Sequence, residues 1–113
     1  MSLDIQLKHE DDIAAFELDG RLDTNTAPDL ENQVTGRLSE GCSSFLIDLA
    51  GVDYISSAGL RVFLMLAKKL GRSKGKMVLC GMNDHVREVF DIAGFSKIFI
   101  IESDVSSARC RFD

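Results

Sequence analysis

Phe45-Leu46-Ile47-Asp48-Leu49-Ala50-Gly51-Val52-Asp53-Tyr54-Ile55-Ser56-Ser57-Ala58-Gly59-Leu60 is the stretch that decides the fold. Phe45, Leu46 and Ile47 form a short unbroken apolar run, which reads as a buried strand. Asp48 to Asp53 reads as a loop. Beyond it Leu60, Phe63, Leu64, Ala67 and Leu70 recur at helical spacing, with Arg61, Lys68 and Lys69 between them. That pattern predicts an amphipathic helix packed on a core. Ser56 and Ser57 then fall at the start of the helix, at its N-cap or one residue before it. Ala58 and Gly59 leave no bulk over its first turn.

Working outward toward the N-terminus, Leu3, Ile5 and Leu7 alternate with Asp4, Gln6 and Lys8, the period of a half-buried strand. Glu10-Asp11-Asp12 reads as a polar turn, and Ile13 to Leu18 returns as a second strand, so the two form a hairpin. Gly20-Arg21-Leu22-Asp23-Thr24-Asn25-Thr26 is rich in turn formers and reads as a loop. Thr26 before Ala27, Pro28 and Asp29 is a helix start. Leu30, Val34 and Leu38 carry that helix to Gly41.

Toward the C-terminus, Gly71 to Lys76 is a basic connector without the Gly-x-x-x-x-Gly-Lys-Ser/Thr pattern of nucleotide loops. Met77 to Cys80 is a further buried strand. Asn83 or Asp84 caps a third helix through Val86, Val89, Phe90 and Ala93, ended by Gly94. Lys97 to Ile101 is the last strand, and Val105 and Ala108 mark a short helix in the tail. The order β-β-α-β-α-β-α-β predicts an α/β fold. Its mixed β-sheet begins with an antiparallel hairpin, continues with parallel strands and is packed with α-helices.

The 113 residues are enough for one domain, read here as spanning residues 1–113, with a real core and no second one. A formal net charge of −5 argues against nucleic acid as partner and is compatible with a basic protein. No apolar run approaches the roughly 20 residues of a membrane span, and Met1-Ser2-Leu3-Asp4 lacks signal-peptide character. Cys42, Cys80 and Cys110 are odd in number and widely spaced, so they read as thiols of a reducing cytoplasm. Neither they nor His9 and His85 propose a metal site. Ser57 has no histidine partner suggested by spacing, and no catalytic carboxylate pair stands out, so the expectation is a binding protein rather than an enzyme. No cofactor is expected.

Serine at a helix start is a preferred cap, because its oxygen accepts a bond from a free backbone N–H. One cap needs one serine, and here there are two. A helix N-terminus also favours anions, so a hydroxyl there is a place for a phosphate of about −1.5 to −2 charges.

The run Asp48 to Arg61, centred on Ser56-Ser57-Ala58-Gly59-Leu60, resembles the signature of the anti-sigma factor antagonists, the bacterial STAS domains. Gly20-Arg21-Leu22-Asp23 resembles that family's other marked turn, and Phe90-Asp91-Ile92-Ala93-Gly94-Phe95 its C-terminal one. The resemblance implies that a partner kinase phosphorylates the serine two residues before the signature glycine, which is Ser57, with Ser56 as second choice. It implies an unphosphorylated form that binds an anti-sigma factor acting also as a serine kinase and so frees a sigma factor. A phosphoserine phosphatase would restore that form. Partner contacts are expected at Asp23, Ser56, Ser57, Gly59, Arg61 and Met65. Ser56 stands where many relatives have Asp, and Ala58 where many have a second hydroxyl. The alternatives are a STAS module acting on secretion, a phosphatase or a cyclic-nucleotide enzyme, and a small-ligand-sensing domain.

Overall fold

The computed structural model describes residues 3–10 and 12–112. Five strands lie side by side in chain order: β1 (Leu3–Glu10), β2 (Ile13–Leu22), β3 (Ser44–Ile55), β4 (Lys76–Cys80) and β5 (Ile100–Glu102). β1 and β2 are antiparallel, and every later pair is parallel. The helices are α1 (Ala27–Ser39), α2 (Ser57–Arg72), α3 (Asp84–Ile92) and α4 (Val105–Arg109).

Strand order dictates where the helices go. Each parallel step moves in the same direction across the sheet, and crossovers are right-handed, so α1, α2 and α3 share one face. Their buried residues Leu30, Val34, Phe63, Leu66, Val86 and Phe90 join Phe16, Leu22, Phe45, Ile47 and Leu79 in one core. The chain then turns α4 onto the opposite face, where Ala108 packs with Ile13, Ala15, Leu46, Val78 and Cys80.

Several boundaries differ from the sequence reading. The run Asp48–Asp53 is not a loop; β3 continues through it, burying Leu49 and Val52. Likewise Gly20, Arg21 and Leu22 belong to β2. The two extensions pair with each other, with register shifts after Glu17 and Gly20. Gly51 permits this close approach, since a Cβ there would lie 2.8 Å from the Leu18 carbonyl oxygen. Exposed Ala50, Gly51 and Asp53 break up the apolar pattern around buried Leu49 and Val52, which is why the sequence reads as a loop there.

The apolar run Lys97–Ile101 is only partly a strand. Gly94 adopts a left-handed φ of 78°, Phe95–Lys97 form a 3-10 turn, and β5 starts at Ile100. Phe95 and Phe99 instead pack on Phe90, their ring centroids 6.1 Å from its ring. Phe99 also meets Phe63 edge-on at 6.3 Å. On α2 the fully enclosed residues include Val62 and Leu66, while Leu60, Leu64 and Ala67 are half-buried. Ala93, expected on the core face of α3, is exposed. The hairpin turn includes Asp12 at φ 66°, whereas Asp11 lies outside the described residues.

Candidate functional site

The carboxyl ends of β2 and β3 finish together, with Arg21 opposite Tyr54 and Leu22 opposite Ile55. In an open parallel sheet this edge, outside the carboxyl ends of the strands, is where sites are built. The Ser56 N–H donates to the Leu22 carbonyl at 2.9 Å, so the exit of one strand holds the start of α2.

Ser56 is the N-cap itself. Its backbone is extended, and its Oγ accepts from the Gly59 N–H at 3.3 Å. Ser57 is therefore the first helical residue, one position later than the sequence spacing indicated, and it is exposed. The first turn of this 16-residue helix carries no acidic side chain, so nothing within that turn offsets its positive end. The two serines thus divide two roles: one hydroxyl holds the turn and the other faces solvent.

Gly59 points the other way. It is buried, and a Cβ there would sit 3.0 Å from the Leu22 carbonyl oxygen, Leu22 Cγ and Ile55 Cγ1. The expectation of a partner contact at Gly59 is corrected accordingly: its missing side chain lets α2 close onto the strand ends. Arg61 and Met65 follow Ser57 on later turns, Arg61 exposed and Met65 half-buried.

Asp23 begins the loop immediately after Leu22. Its Oδ1 accepts from the N–H of Asn25 at 2.9 Å and the N–H of Thr26 at 3.1 Å, with the Thr26 hydroxyl oxygen 3.3 Å away. Arg21 Nε lies 3.8 Å from its Oδ2. Desolvation pushes the Asp23 carboxyl up, but the hydrogen bonds from Thr26 and Asn25, with the Arg21 charge, together hold it below the usual carboxylate range. Thr26 occupies the N-cap position of α1 yet makes no side-chain cap bond. Its hydroxyl instead donates to the Arg21 carbonyl at 2.7 Å and accepts from the Asp23 N–H at 2.9 Å. These bonds make the Asp23 loop a built turn, tied to Ser56 through Leu22.

Two further contacts lie outside the sequence reading, although that reading named Asn83 as one of two caps for α3. The Arg21 guanidinium lies 4.1 Å from the centroid of the Tyr54 ring, beneath the Asp23 loop. Asn83 caps α3 by accepting from the Val86 N–H at 2.8 Å, and its amide also donates to the Val52 carbonyl at 3.2 Å. Neither contact follows from spacing, because each depends on parallel register between distant segments. Among the described residues no group of three His, Cys, Asp or Glu side chains is arranged to hold a metal ion. His9 and His85 are both exposed, on separate elements.

The arrangement defines a class: a mixed-sheet α/β domain presenting one solvent-facing serine at a helix start, braced by a neighbouring acidic turn. The chain belongs to the STAS domain family, whose profile matches residues 4–108. It is 41% identical over 95 residues to BtrV of Bordetella bronchiseptica, which carries the provisional name anti-sigma factor antagonist; the match spans 84% of this chain and 82% of that one. It is 30% identical over 98 residues to the anti-sigma-B factor antagonist of Staphylococcus epidermidis, spanning 87% and 91%. Among solved structures, a Thermotoga maritima protein provisionally named an anti-sigma factor antagonist superposes with a TM-score of 0.90 at 23% identity, covering 95% and 92%. The Bacillus protein SpoIIAA in its phosphorylated form gives 0.76 at 17% identity, covering 97% and 100%. At that identity the likeness is one of fold.

Proposed function

We propose that this STAS domain is an anti-sigma factor antagonist whose partner binding is switched by phosphorylation of Ser57. The observation that carries the reading is the division of labour at the start of α2. Ser56 spends its oxygen on the Gly59 N–H, while Ser57 is exposed and its hydroxyl has no partner among the described residues. At this helix start a kinase therefore meets Ser57 as the exposed hydroxyl that is not engaged in the cap. The naming of two relatives at 30% identity or more as anti-sigma factor antagonists supports the output.

In this reading the unmodified domain binds an anti-sigma factor that is also a serine kinase, and the sigma factor is released. The kinase moves the γ-phosphoryl of ATP onto Ser57 Oγ; the hydroxyl proton passes to a base of the kinase and ADP leaves. The phosphate sits at the positive end of α2, where free N–H groups and the dipole favour it, so the fold is kept. At a packed interface the same charge must be desolvated, and the Asp23 turn, held next to the helix start through Leu22 and Ser56, adds a carboxylate to the same surface. Partner contact is thereby lost, and a phosphoserine phosphatase reverses the change. Asp23, Ser56, Ser57, Arg61 and Met65 form the partner-facing set, in one domain spanning residues 1–113 that acts in the cytoplasm and performs no catalysis itself. No helix among the described residues is long and apolar enough to cross a membrane.

The test is fragment mass analysis of protein isolated from its own cells, before and after phosphatase treatment. A phosphatase-sensitive phosphate on Ser57 is expected. Phosphate on Ser56 alone, or none under any growth condition, overturns the assignment.

A further inference from the structure

The charges of this acidic chain are sharply divided. Residues 57–76 carry six basic and no acidic side chains, while the remainder holds seven basic against eighteen acidic. Most cations outside the segment, and one within it, are neutralised: Arg21, Arg37, Arg87 and Arg111 each face a carboxylate, and Lys69 lies 4.0 Å from Glu31 of α1. Arg61, Lys68 and Arg72 are different. All three are exposed, and none has an ion pair or hydrogen bond among the described residues.

Their spacing matters as much as their charge. At 100° per residue, Ser57, Arg61, Met65, Lys68 and Arg72 fall within about 80° of one another around the helix axis. They form one ridge about 22 Å long at 1.5 Å per residue, headed by the phosphoacceptor. Despite the surplus of carboxylates, this line of cations has no partner among the described residues.

We infer that the Arg61–Lys68–Arg72 ridge docks an acidic surface of the kinase partner, with Met65 as its apolar contact. The inference rests on the proposed switch at Ser57 and assigns the chemistry of the other side. It reverses the expectation drawn from net charge, because the partner meets a local +3 stripe although the whole chain sums to −5. Nucleic acid is disfavoured as the occupant, since a polyanion extending past a short stripe meets the acidic remainder of the domain. The same geometry explains how one phosphate acts on an extended surface. Ser57 and Arg61 are four residues apart, the distance at which helical side chains pair. A phosphate on Ser57 draws Arg61 back along the helix and reverses the sign at the head of the ridge.

The experiment uses the full chain and the purified kinase that phosphorylates Ser57, with binding followed at about 50 and about 300 mM salt, either side of the screening range. Arg61→Glu, Lys68→Glu and Arg72→Glu are compared with Lys97→Glu, an equal charge change on the exposed 3-10 turn. Each ridge reversal is expected to weaken binding about five- to tenfold at low salt, mainly through slower association, with the gap narrowing at high salt. Arg61→Gln should fall between wild type and Arg61→Glu, which separates lost charge from lost fold. Lys97→Glu should stay within about twofold of wild type. If the kinase binds and modifies Ser57 but all four reversals behave alike, the ridge inference fails and the switch stands. If no kinase modifies Ser57, both fail. Tighter binding of a short DNA duplex than of the kinase also overturns the inference.

Discussion

The amide of Ser56 donates to the carbonyl of Leu22 at 2.9 Å, and this bond carries the β2–β3 pairing into the two segments on which the candidate site is built. It places the Asp23 turn one residue beyond the acceptor carbonyl and Ser57 one residue beyond the donor. Gly59 then seats on the same Leu22 from above. Strand end, acidic turn and helix start behave as one unit.

Removing the cap tests that unit directly. Ser56→Ala leaves the Gly59 N–H without its acceptor and should cost about 1 kcal/mol in chemical denaturation. Ser57 remains exposed in this variant, so phosphate incorporation by the kinase should continue. Loss of incorporation with an intact fold would assign Ser56 the acceptor role instead.

Ser57 itself should contribute little to stability. Ser57→Ala is expected within about 0.5 kcal/mol of wild type, because the side chain is exposed and has no partner among the described residues. It should bind the partner and resist phosphorylation. Ser57→Asp should keep the fold, helped by a carboxylate in the first helical turn, and weaken partner binding at least tenfold. Calorimetric titration of the two variants against the same partner separates these effects.

Gly59→Ala probes the closure of α2 on the sheet. The new methyl meets backbone and branched side chains at 3.0 Å, none of them a flexible end. A destabilisation of about 1–3 kcal/mol is expected, with weaker phosphorylation because the start of the helix is displaced. Unchanged stability would show that the helix accommodates the methyl freely.

Asp23 makes the acid limb of stability testable. Its folded carboxyl is held below the ordinary 3.8, so its contribution is present above that value and lost as pH falls through the folded one. Asp23→Asn keeps an acceptor for the turn but has no proton to gain. The stability difference between wild type and this variant should therefore shrink below pH 3.8, read by denaturation at stepped pH. A difference constant with pH would rule out a contribution from the charge.

Cys80 governs the alkaline side. Burial, followed by the charges of Asp48 and Asp104, pushes its thiol from 9.0 to about 12. The folded state keeps its proton while the unfolded chain loses it, so the contribution is full below pH 9 and declines from there toward about 12. Cys80→Val should flatten that decline. In native protein a thiol reagent should modify exposed Cys110 rapidly and buried Cys80 only on unfolding.

The helices and central strands were legible from the sequence because their signals are local. Phe63 and Leu70 on α2, Val86 and Phe90 on α3, and the run Phe45–Ile47 declare themselves by periodicity and hydrophobicity. The serine pair before two small residues likewise marked the candidate site, and the resemblance of that run to a family signature marked Ser57 within it. Only tertiary structure decided that Ser56 is the cap, that Gly59 faces inward, and that Gly20–Leu22 and Asp48–Asp53 are paired strand ends. It also decided that Arg21 lies against Tyr54 and that the unpaired cations of α2 stand on an open ridge. These features depend on register between segments some thirty residues apart, and on which charges find partners once the chain has folded. Periodicity reports which side of an element is buried; what lies across from it is set by the packing of the whole sheet.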